Sequence, residues 1–189
     1  MKPSISALHR LVVALLIGCC LSVPAASQTP KAPGAVEART ADVLAAAREI
    51  MRVSRYCAAI TVDESGRPQA RTIDPFPPED GMVVWFATNP KSRKVAQLRR
   101  DPRITLYYFD PRSPELGYAT LLGRARLVND PAEKEKRWKK EWEGLWPDRD
   151  ASYLLVEVTP ERLEVSSEKQ RIANDPVTWA PASIDFPIR

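Results

Sequence analysis

Between residues 56 and 166 the sequence is a succession of short runs rich in β-branched and aromatic residues, separated by Gly, Pro, Asp and Asn. Runs of this length and spacing predict antiparallel strands joined by turns. We predict strands over 56–62, 68–73, 82–87, 104–109, 117–128, 153–158 and 163–166, with a bulge at Gly123. Many antiparallel strands with a few helices outside them predict a mainly β fold with peripheral helices, arranged as a small barrel.

Helices are predicted at three places around these strands. Thr40 can cap a first helix, in which apolar residues recur at helical spacing. Asn89-Pro90 can begin a second helix that ends near Arg100. Asp130-Pro131 opens a third helix, in which a tryptophan recurs every four residues, at Trp138, Trp142 and Trp146. This stripe predicts a packing face of the helix rather than a ligand site.

Residues 1–27 have the order of a secretory signal peptide: a basic start, an apolar run over 11–21, and small residues before position 28. The apolar run is too short for a spanning helix, which needs about 20 residues. We therefore expect an exported protein, periplasmic or secreted, without a transmembrane helix in the mature chain. Residues 28–39, rich in Pro and Ala, are predicted to be a linker, which leaves 40–189 as one domain.

The same segment allows a second interpretation. The stretch LIGC, which ends at Cys19, resembles the signal of bacterial lipoproteins, in which the cysteine is acylated. The mature protein would then be anchored through Cys19. Both interpretations place the protein outside the cytoplasm.

The composition of the mature chain excludes several classes of function. The single histidine, His9, lies in the predicted signal, so histidine-dependent hydrolase sites and the usual zinc sites are excluded. Without the signal the chain has 26 basic and 24 acidic residues, and a net charge of +2 does not indicate nucleic-acid binding. Cys57 lies in the apolar run YCAAI and is predicted to be a buried, unreactive thiol. Chemistry in this domain must use carboxylates, Lys, Arg, Tyr or a bound cofactor.

Residues 86–100, FATNPKSRKVAQLRR, place hydroxyl and cationic side chains where a predicted strand passes into a predicted helix. Free N–H groups and the positive end of the helix dipole make such a position suitable for phosphate. Ser92 adds a hydroxyl, Arg93 a planar fork and Lys94 a point charge, and Thr88 can reach the same place. A solvated, basic surface helix is the alternative interpretation of these residues.

The order Thr88-Asn89-x-x-Ser92-Arg93-Lys94, between a strand and a helix, resembles the flavin-binding segment of the pyridoxamine 5'-phosphate oxidase family. The resemblance extends over residues 41–179. It implies a split β-barrel that binds FMN at a homodimer interface and acts on a small-molecule substrate. Carried over by position, the cofactor-binding residues that it implies are Arg71, Thr72, Ala87, Thr88, Ser92, Arg93, Lys94 and Arg171.

This sequence lacks most of the residues with which the true oxidases bind their substrate. They place a lysine where Asp74-Pro75-Phe76 stands here, a glutamine near Tyr118 and a tryptophan near Val165. Arg171-Ile172-Ala173 aligns with their Arg-x-His pair, so the arginine remains and the histidine is lost. The chain therefore resembles the general-stress-protein branch of the family rather than a pyridoxamine phosphate oxidase.

The hypothesis that follows is an exported FMN-binding oxidoreductase with an unknown small substrate, because the flavin ring itself supplies hydride or electron transfer. One alternative is a deazaflavin in the same groove, which would use the same cations. Haem in that groove would need an axial ligand that a histidine-free domain can hardly supply. A further alternative is a non-enzymatic binding module of the cell envelope that uses Trp138, Trp142 and Trp146. The sequence predicts no metal site and leaves the catalytic residues unassigned.

Overall fold

A seven-stranded antiparallel sheet forms the framework of the protein. The computed structural model describes residues 33–112, 117–146 and 148–187. The strands are β1 (Cys57–Val62), β2 (Pro68–Ile73), β3 (Val84–Thr88), β4 (Arg103–Phe109), β5 (Tyr118–Val128), β6 (Leu154–Ser166) and β7 (Ala182–Asp185). Their order in the sheet is β2-β1-β4-β5-β6-β3, and β7 also pairs with β6. The predicted signal peptide, Cys19 included, lies outside the described residues.

Helices accompany the sheet at its periphery. In the described part of the chain the α-helices are α1 (Pro33–Val53), α2 (Arg93–Arg100), α3 (Pro131–Lys136) and α4 (Arg149–Ser152), and 3-10 turns cover Asp80–Met82 and Lys140–Trp142. None of the helices described combines the length and the apolar character that crossing a membrane requires. This mainly antiparallel β architecture with peripheral helices confirms the predicted fold class.

The sheet curves until its two outer strands approach each other. Directly after β2, Pro75 forms a β-bridge with Phe86 of β3, and the Phe76 N–H donates to the Trp85 carbonyl at 2.7 Å. β6 pairs with β3 through its first half and with β7 through its second half. The result is the half-barrel of a split-barrel fold, in which the segment after β2 lies next to the end of β3.

Two hydrophobic clusters lie on opposite faces of β3. Successive side chains of a strand point to opposite faces, so Val84 and Phe86 belong to the larger cluster and Trp85 to the smaller one. The larger cluster lies between the sheet and α1. The smaller cluster lies beneath the segment 129–153 that joins β5 to β6, and its buried members are Trp85, Val128, Trp142, Tyr153 and Leu155.

The pairing of β5 with β6 is interrupted by a bulge, as predicted. The register shifts between Leu122 and Gly123, and Gly123 lies opposite Pro160. Proline has no N–H for the strand ladder and is tolerated in strands at such irregularities. β6 is therefore one continuous strand where the sequence predicted two, and β7 was not predicted at all.

The first two helices begin at other residues than predicted. α1 begins at Pro33, within the segment predicted as a linker, and not at Thr40. Asn89 does not cap α2: its side chain accepts from the Lys91 N–H at 2.8 Å, and its carbonyl accepts from the Ser92 N–H at 3.0 Å. These bonds close a turn, so α2 begins only at Arg93.

The single helix predicted for the tryptophan stripe is wrong. α3 ends at Lys136, and Lys139 has an extended backbone before the 3-10 turn Lys140–Trp142. A straight helix would hold the three rings in a row along one face. The break lets them gather instead, and the ring centroids of Trp142 and Trp146 lie 5.0 Å apart.

Candidate functional site

An open cleft of about 940 Å³ lies where the end of β2 meets the end of β3. Its lining comes from the end of α1, the segment after β2, the end of β3, the start of α2 and the segment between β5 and β6. The bridge between Pro75 and Phe86 brings these segments together. The predicted site residues in the lining are Thr72, Ala87, Thr88, Ser92 and Lys94.

The start of α2 presents hydrogen-bond donors to this cleft. Ser92 occupies the N-cap position, but its side chain accepts no hydrogen bond from the first turn. Its hydroxyl lies 3.3 Å from the hydroxyl of Thr88. The first N–H groups of an α-helix have no partner within the helix, and the helix dipole adds partial positive charge there. The two hydroxyls and these N–H groups can together bind an oxyanion.

Arg71, Arg93 and Lys94 form a cluster of positive charge around the start of α2, and of the three only Lys94 lines the cleft. Burial lowers the pKa of Lys94, and the charge of Arg71 lowers it further. Burial also lowers the pKa of Arg71, with the charge of Arg93 as the second cause. Within residues 33–112, 117–146 and 148–187, none of the three forms an ion pair with a carboxylate. Like charges held together without a counter-ion favour the binding of an anion.

Arg71 is held against α2 by residues that the sequence analysis did not single out. Its guanidinium donates to the Thr61 hydroxyl at 2.7 Å, to Gln97 Oε1 at 2.9 Å and to the Ala59 carbonyl at 3.2 Å. Gln97 Oε1 also accepts from the Thr61 hydroxyl, and both of these side chains are buried. All of these acceptors are uncharged, so they orient the guanidinium without neutralising it. The one sequence signal for Gln97 is its position a helical turn after Arg93.

Three predicted site residues lie outside the cleft lining. Arg71 reaches α2 through the hydrogen bonds just described. Arg93 is exposed and faces a neighbouring groove together with Gln97. Arg171 lies in an exposed turn after β6, where its φ is 59° and its N–H donates to the Glu168 carbonyl at 2.9 Å. Within its own chain, Arg171 is therefore not part of the cleft.

A second part of the lining is aromatic, and it includes two of the three tryptophans of the predicted stripe. The ring of Trp142 lies 5.7 Å from that of Phe76 and 5.0 Å from that of Trp146, and all three residues line the cleft. Trp138 is not in the lining and packs edge-on against Tyr153 at 5.2 Å. Trp142 is only 6% exposed. Trp142 is therefore buried, and the rings of Trp138 and Trp146 pack against it and against Tyr153, in agreement with the predicted packing face.

Cys57 and Tyr108 are buried neighbours, and Tyr108 lines the cleft. Burial raises the pKa of the Cys57 thiol to about 12, so this cysteine is the buried, unreactive residue that the sequence predicts. Burial also raises the pKa of Tyr108 well above its usual value. Neither group supplies a nucleophile at neutral pH. The described residues also contain no group of three His, Cys, Asp or Glu side chains that could hold a metal ion.

Comparison with known proteins identifies a family model and solved structures that are similar to this chain. The family model for pyridoxamine 5'-phosphate oxidase matches residues 43–167. No curated protein matches the chain. General Stress Protein 26 from Bacillus anthracis str. Sterne is 19% identical, with a TM-score of 0.58 over 75% of this chain and 97% of that chain. A protein from Clostridium acetobutylicum related to general stress protein 26 is 20% identical, with a TM-score of 0.61 over 76% of this chain and 94% of that chain.

A third solved structure, described as an F420 reductase, is 20% identical, with a TM-score of 0.50 over 61% of this chain and 94% of that chain. Identities this low show that these proteins share the fold. The family model shows membership of a family and not only a shared fold, because it matches most of the described residues. The match contains the end of β3 and the whole of α2. The chain therefore belongs to the pyridoxamine 5'-phosphate oxidase family.

Proposed function

We propose that the protein binds FMN through its phosphate at the start of α2 and is a flavin-dependent oxidoreductase that acts on a small molecule. The observation that carries this proposal is the cluster of Arg71, Arg93 and Lys94, which has no carboxylate partner in the described chain. A bound phosphate would neutralise the cluster and offset the repulsion within it. Membership of the family supports a flavin as the molecule that carries this phosphate.

The donor set fits a phosphate group. Thr88, Ser92 and Lys94 line one cleft, the two hydroxyls lie 3.3 Å apart, and the first N–H groups of α2 have no partner within the helix. Arg93 adds a planar fork from the outside, and Arg71 adds charge from the side of β2. A bound flavin supplies hydride or electron transfer itself. The residues of this chain would bind its phosphate, orient it along Ala87 and shield it from water.

A homodimer is part of this proposal. Tyr107 and Phe109 of β4 are 37% and 43% exposed, and Tyr107 stacks on Tyr118 of β5 with ring centroids 5.7 Å apart. A contiguous exposed aromatic surface is typical of a protein interface. Arg171 is exposed and outside the cleft of its own chain, so it is available to the cleft of a second copy. Export from the cytoplasm also belongs to the proposal, on the basis of residues 1–27.

Spectroscopic titration with FMN and riboflavin tests the phosphate site, because the two molecules differ only by the phosphate. The native protein should bind FMN at least tenfold more tightly than riboflavin. Lys94→Gln should weaken FMN binding by roughly 10- to 100-fold, since a hydrogen bond to a charged group contributes about 1.5–3 kcal/mol. The same substitution should leave riboflavin binding unchanged.

Arg99→Gln is the matched control, because it removes one charge from the exposed far end of the same helix. Its affinity for FMN should equal that of the native protein. Equal binding of FMN and riboflavin by the native protein would contradict the proposed phosphate site.

A deazaflavin is the second candidate cofactor, and the fold shared with an F420 reductase favours it. It would use the same cations at the start of α2. Titration of the flavin-free protein with F420 and with FMN distinguishes the two cofactors by their dissociation constants. If F420 binds more tightly than FMN, the proposed cofactor is a deazaflavin, held at the same site.

A further inference from the structure

We propose that the pocket between α3 and α4 binds a small zwitterion, a molecule with one anionic and one cationic group, such as an amino acid. The pocket has a volume of about 360 Å³ and lies on the segment that joins β5 to β6. Its lining residues are Asn129, Pro131, Lys134, Glu135, Arg149 and Asp150. None of these six lines the cleft at the end of β3, so the inference goes beyond the proposed function and does not depend on a flavin.

A buried ammonium group forms one side of this pocket. Lys134 is only 7% exposed, and lysine is rarely buried to this extent without a charged partner. Its Nζ donates to Asn129 Oδ1 at 3.3 Å and lies 5.5 Å from the centre of the Tyr153 ring. An ammonium has three N–H donors, and neither of these neighbours carries a negative charge. Because a buried cation is costly without an anion beside it, Lys134 can bind the anionic group of a ligand.

The second cation of the pocket is already neutralised. Arg149 pairs with Glu135 at 2.7 Å and donates to the Lys134 carbonyl at 3.0 Å. Its guanidinium also lies 4.4 Å from the centre of the Trp138 ring. These contacts hold the guanidinium at the wall of the pocket. Arg149 and Glu135 compensate each other, so the charges that a ligand can neutralise are those of Lys134 and Asp150.

The second carboxylate of the pocket has no cation beside it. Asp150 is exposed in the first turn of α4, and within the described chain neither Asp150 nor Lys134 forms an ion pair. The two groups therefore do not neutralise each other. Their difference in burial places the ammonium inside the pocket and the carboxylate toward the solvent. Two opposite charges that line one pocket without pairing are complementary to a molecule that carries both charges.

A ligand with a single charge would satisfy only one of the two side chains. An anion would meet the Lys134 ammonium, but the Asp150 carboxylate would repel it. A cation would be attracted by Asp150 and repelled by Lys134. A zwitterion gains both contacts when the spacing of its two groups matches the spacing of the two side chains. This requirement defines the proposed class of ligand.

A series of amino acids with increasing spacing between the charges tests the proposal: glycine, β-alanine, 4-aminobutyrate and 6-aminohexanoate. Butyrate and butylamine carry only one of the two charges and are the reference probes. Binding to the native protein is measured by isothermal titration calorimetry. We expect one amino acid of the series to bind at least tenfold more tightly than either reference probe. The proposal is overturned if no member of the series binds at millimolar concentrations, or if butyrate binds as tightly as the best of them.

Two substitutions test the two charges separately. Asp150→Asn should weaken the best amino acid at least tenfold without weakening butyrate, because it removes only the contact with the cationic group. Lys134→Met keeps a long apolar side chain and should weaken both the amino acid and butyrate at least tenfold. Lys136→Met and Glu143→Gln are the matched controls, because both residues are exposed and neither lines the pocket. Both control variants should bind the amino acid as the native protein does.

Thermal unfolding separates binding from a purely structural role of Lys134. The best amino acid should raise the Tm of the native protein and leave the Tm of Lys134→Met unchanged. If Lys134→Met does not fold, Asp150→Asn decides, since Asp150 is exposed and its substitution leaves the buried side chains in place. Equal affinity of Asp150→Asn and the native protein for the amino acid would overturn the proposal. The FMN titration is independent of this result, because the pocket and the cleft share no lining residue.

Discussion

The hydroxyl of Tyr108 is buried beside the Cys57 thiol, which is only a weak hydrogen-bonding group, and it has no stronger partner among the described residues. A buried polar group that is left unsatisfied costs about 1–3 kcal/mol. Tyr108→Phe removes the hydroxyl and keeps the ring. We therefore expect this substitution to raise the free energy of unfolding of the flavin-free protein by about 1 kcal/mol, as measured by urea unfolding.

Tyr153→Phe is the control for this prediction. The hydroxyl of Tyr153 donates to the Lys134 carbonyl at 3.4 Å, and Tyr153 does not line the cleft. Its removal should lower the stability or leave it unchanged. A Tyr108→Phe protein that is less stable than the native one would show that the Tyr108 hydroxyl has a stabilising partner in solution.

The sequence predicts the proximity of some side chains of the candidate site but not of others. Thr88, Ser92 and Lys94 share one cleft because a strand and a helix joined by a short turn fix their separation, so their proximity was predictable. Thr61 and Gln97 were not predictable as partners of Arg71, since the three residues meet only through the pairing of β2 with β1 and the packing of α2 against β1. That these residues bind FMN stays a prediction.

Among the strands, the pairing of β5 with β6 depends on Gly123. A Cβ at this position would lie 2.2 Å from the Thr159 carbonyl oxygen, which is part of the backbone and cannot rotate away. Gly123→Ala must therefore push the two strands apart. We expect a loss of about 2–3 kcal/mol in the free energy of unfolding, typical of overpacking, measured by urea unfolding.

Gly144→Ala is the matched control, because a Cβ at Gly144 would meet no atom within 4 Å. Its effect should stay within about 0.5 kcal/mol, as for most surface substitutions. If the two alanine variants had the same small effect, the backbones of β5 and β6 could not be as close as they are here.

The same elements show why some boundaries were predictable and others were not. A glycine inside a strand pattern is a local signal, so the bulge at Gly123 was predicted correctly. The spacing of Trp138, Trp142 and Trp146 fits a helix, but it fits a broken segment equally well once their rings can pack against Phe76 and Tyr153. Those partners come from distant parts of the chain, so the break at Arg137 had no local signal.

Ion pairs connect α1 to the turn that follows β4. Glu49 pairs with Arg52 at 2.8 Å and with Arg112 at 2.9 Å. Hydrogen bonds from Arg52, then from Arg112, lower the pKa of Glu49 from 4.5 to about 2. Because the pKa is lower in the folded state, the stabilisation is fully present above pH 4.5 and is lost as the pH falls toward 2.

Glu49→Gln should therefore lower the urea midpoint slightly at pH 7, and most of this difference should be lost at pH 2. The pair is exposed to solvent, so 1 M NaCl should reduce the difference at pH 7 as well. Glu143→Gln is the control, because Glu143 is exposed and forms no ion pair within the described ranges. A difference between Glu49→Gln and the native protein that persists at pH 2 would contradict the assignment.

Association of two copies can be tested at the exposed aromatic surface of the sheet. Tyr107→Glu places a charge beside Phe109 and Tyr118, and a charge that loses its water in an interface is costly. We expect light scattering to give the mass of two chains for the native protein and of one chain for this variant. If the proposed dimer brings Arg171 of a second copy to the cleft, FMN affinity should also fall at least tenfold in the variant.

Val177→Glu tests whether the interface lies instead at another exposed apolar side chain, in the turn after β6. Val177 is 84% exposed in a turn held by Asp175, whose carboxylate accepts from the Val177 N–H at 3.0 Å and from the Thr178 N–H at 2.7 Å. These hydrogen bonds hold the turn within its own chain, so this variant should have the same mass and the same FMN affinity as the native protein. If Val177→Glu separates the copies and Tyr107→Glu does not, the interface lies at the turn after β6, and Arg171, four residues before Asp175, lies within it.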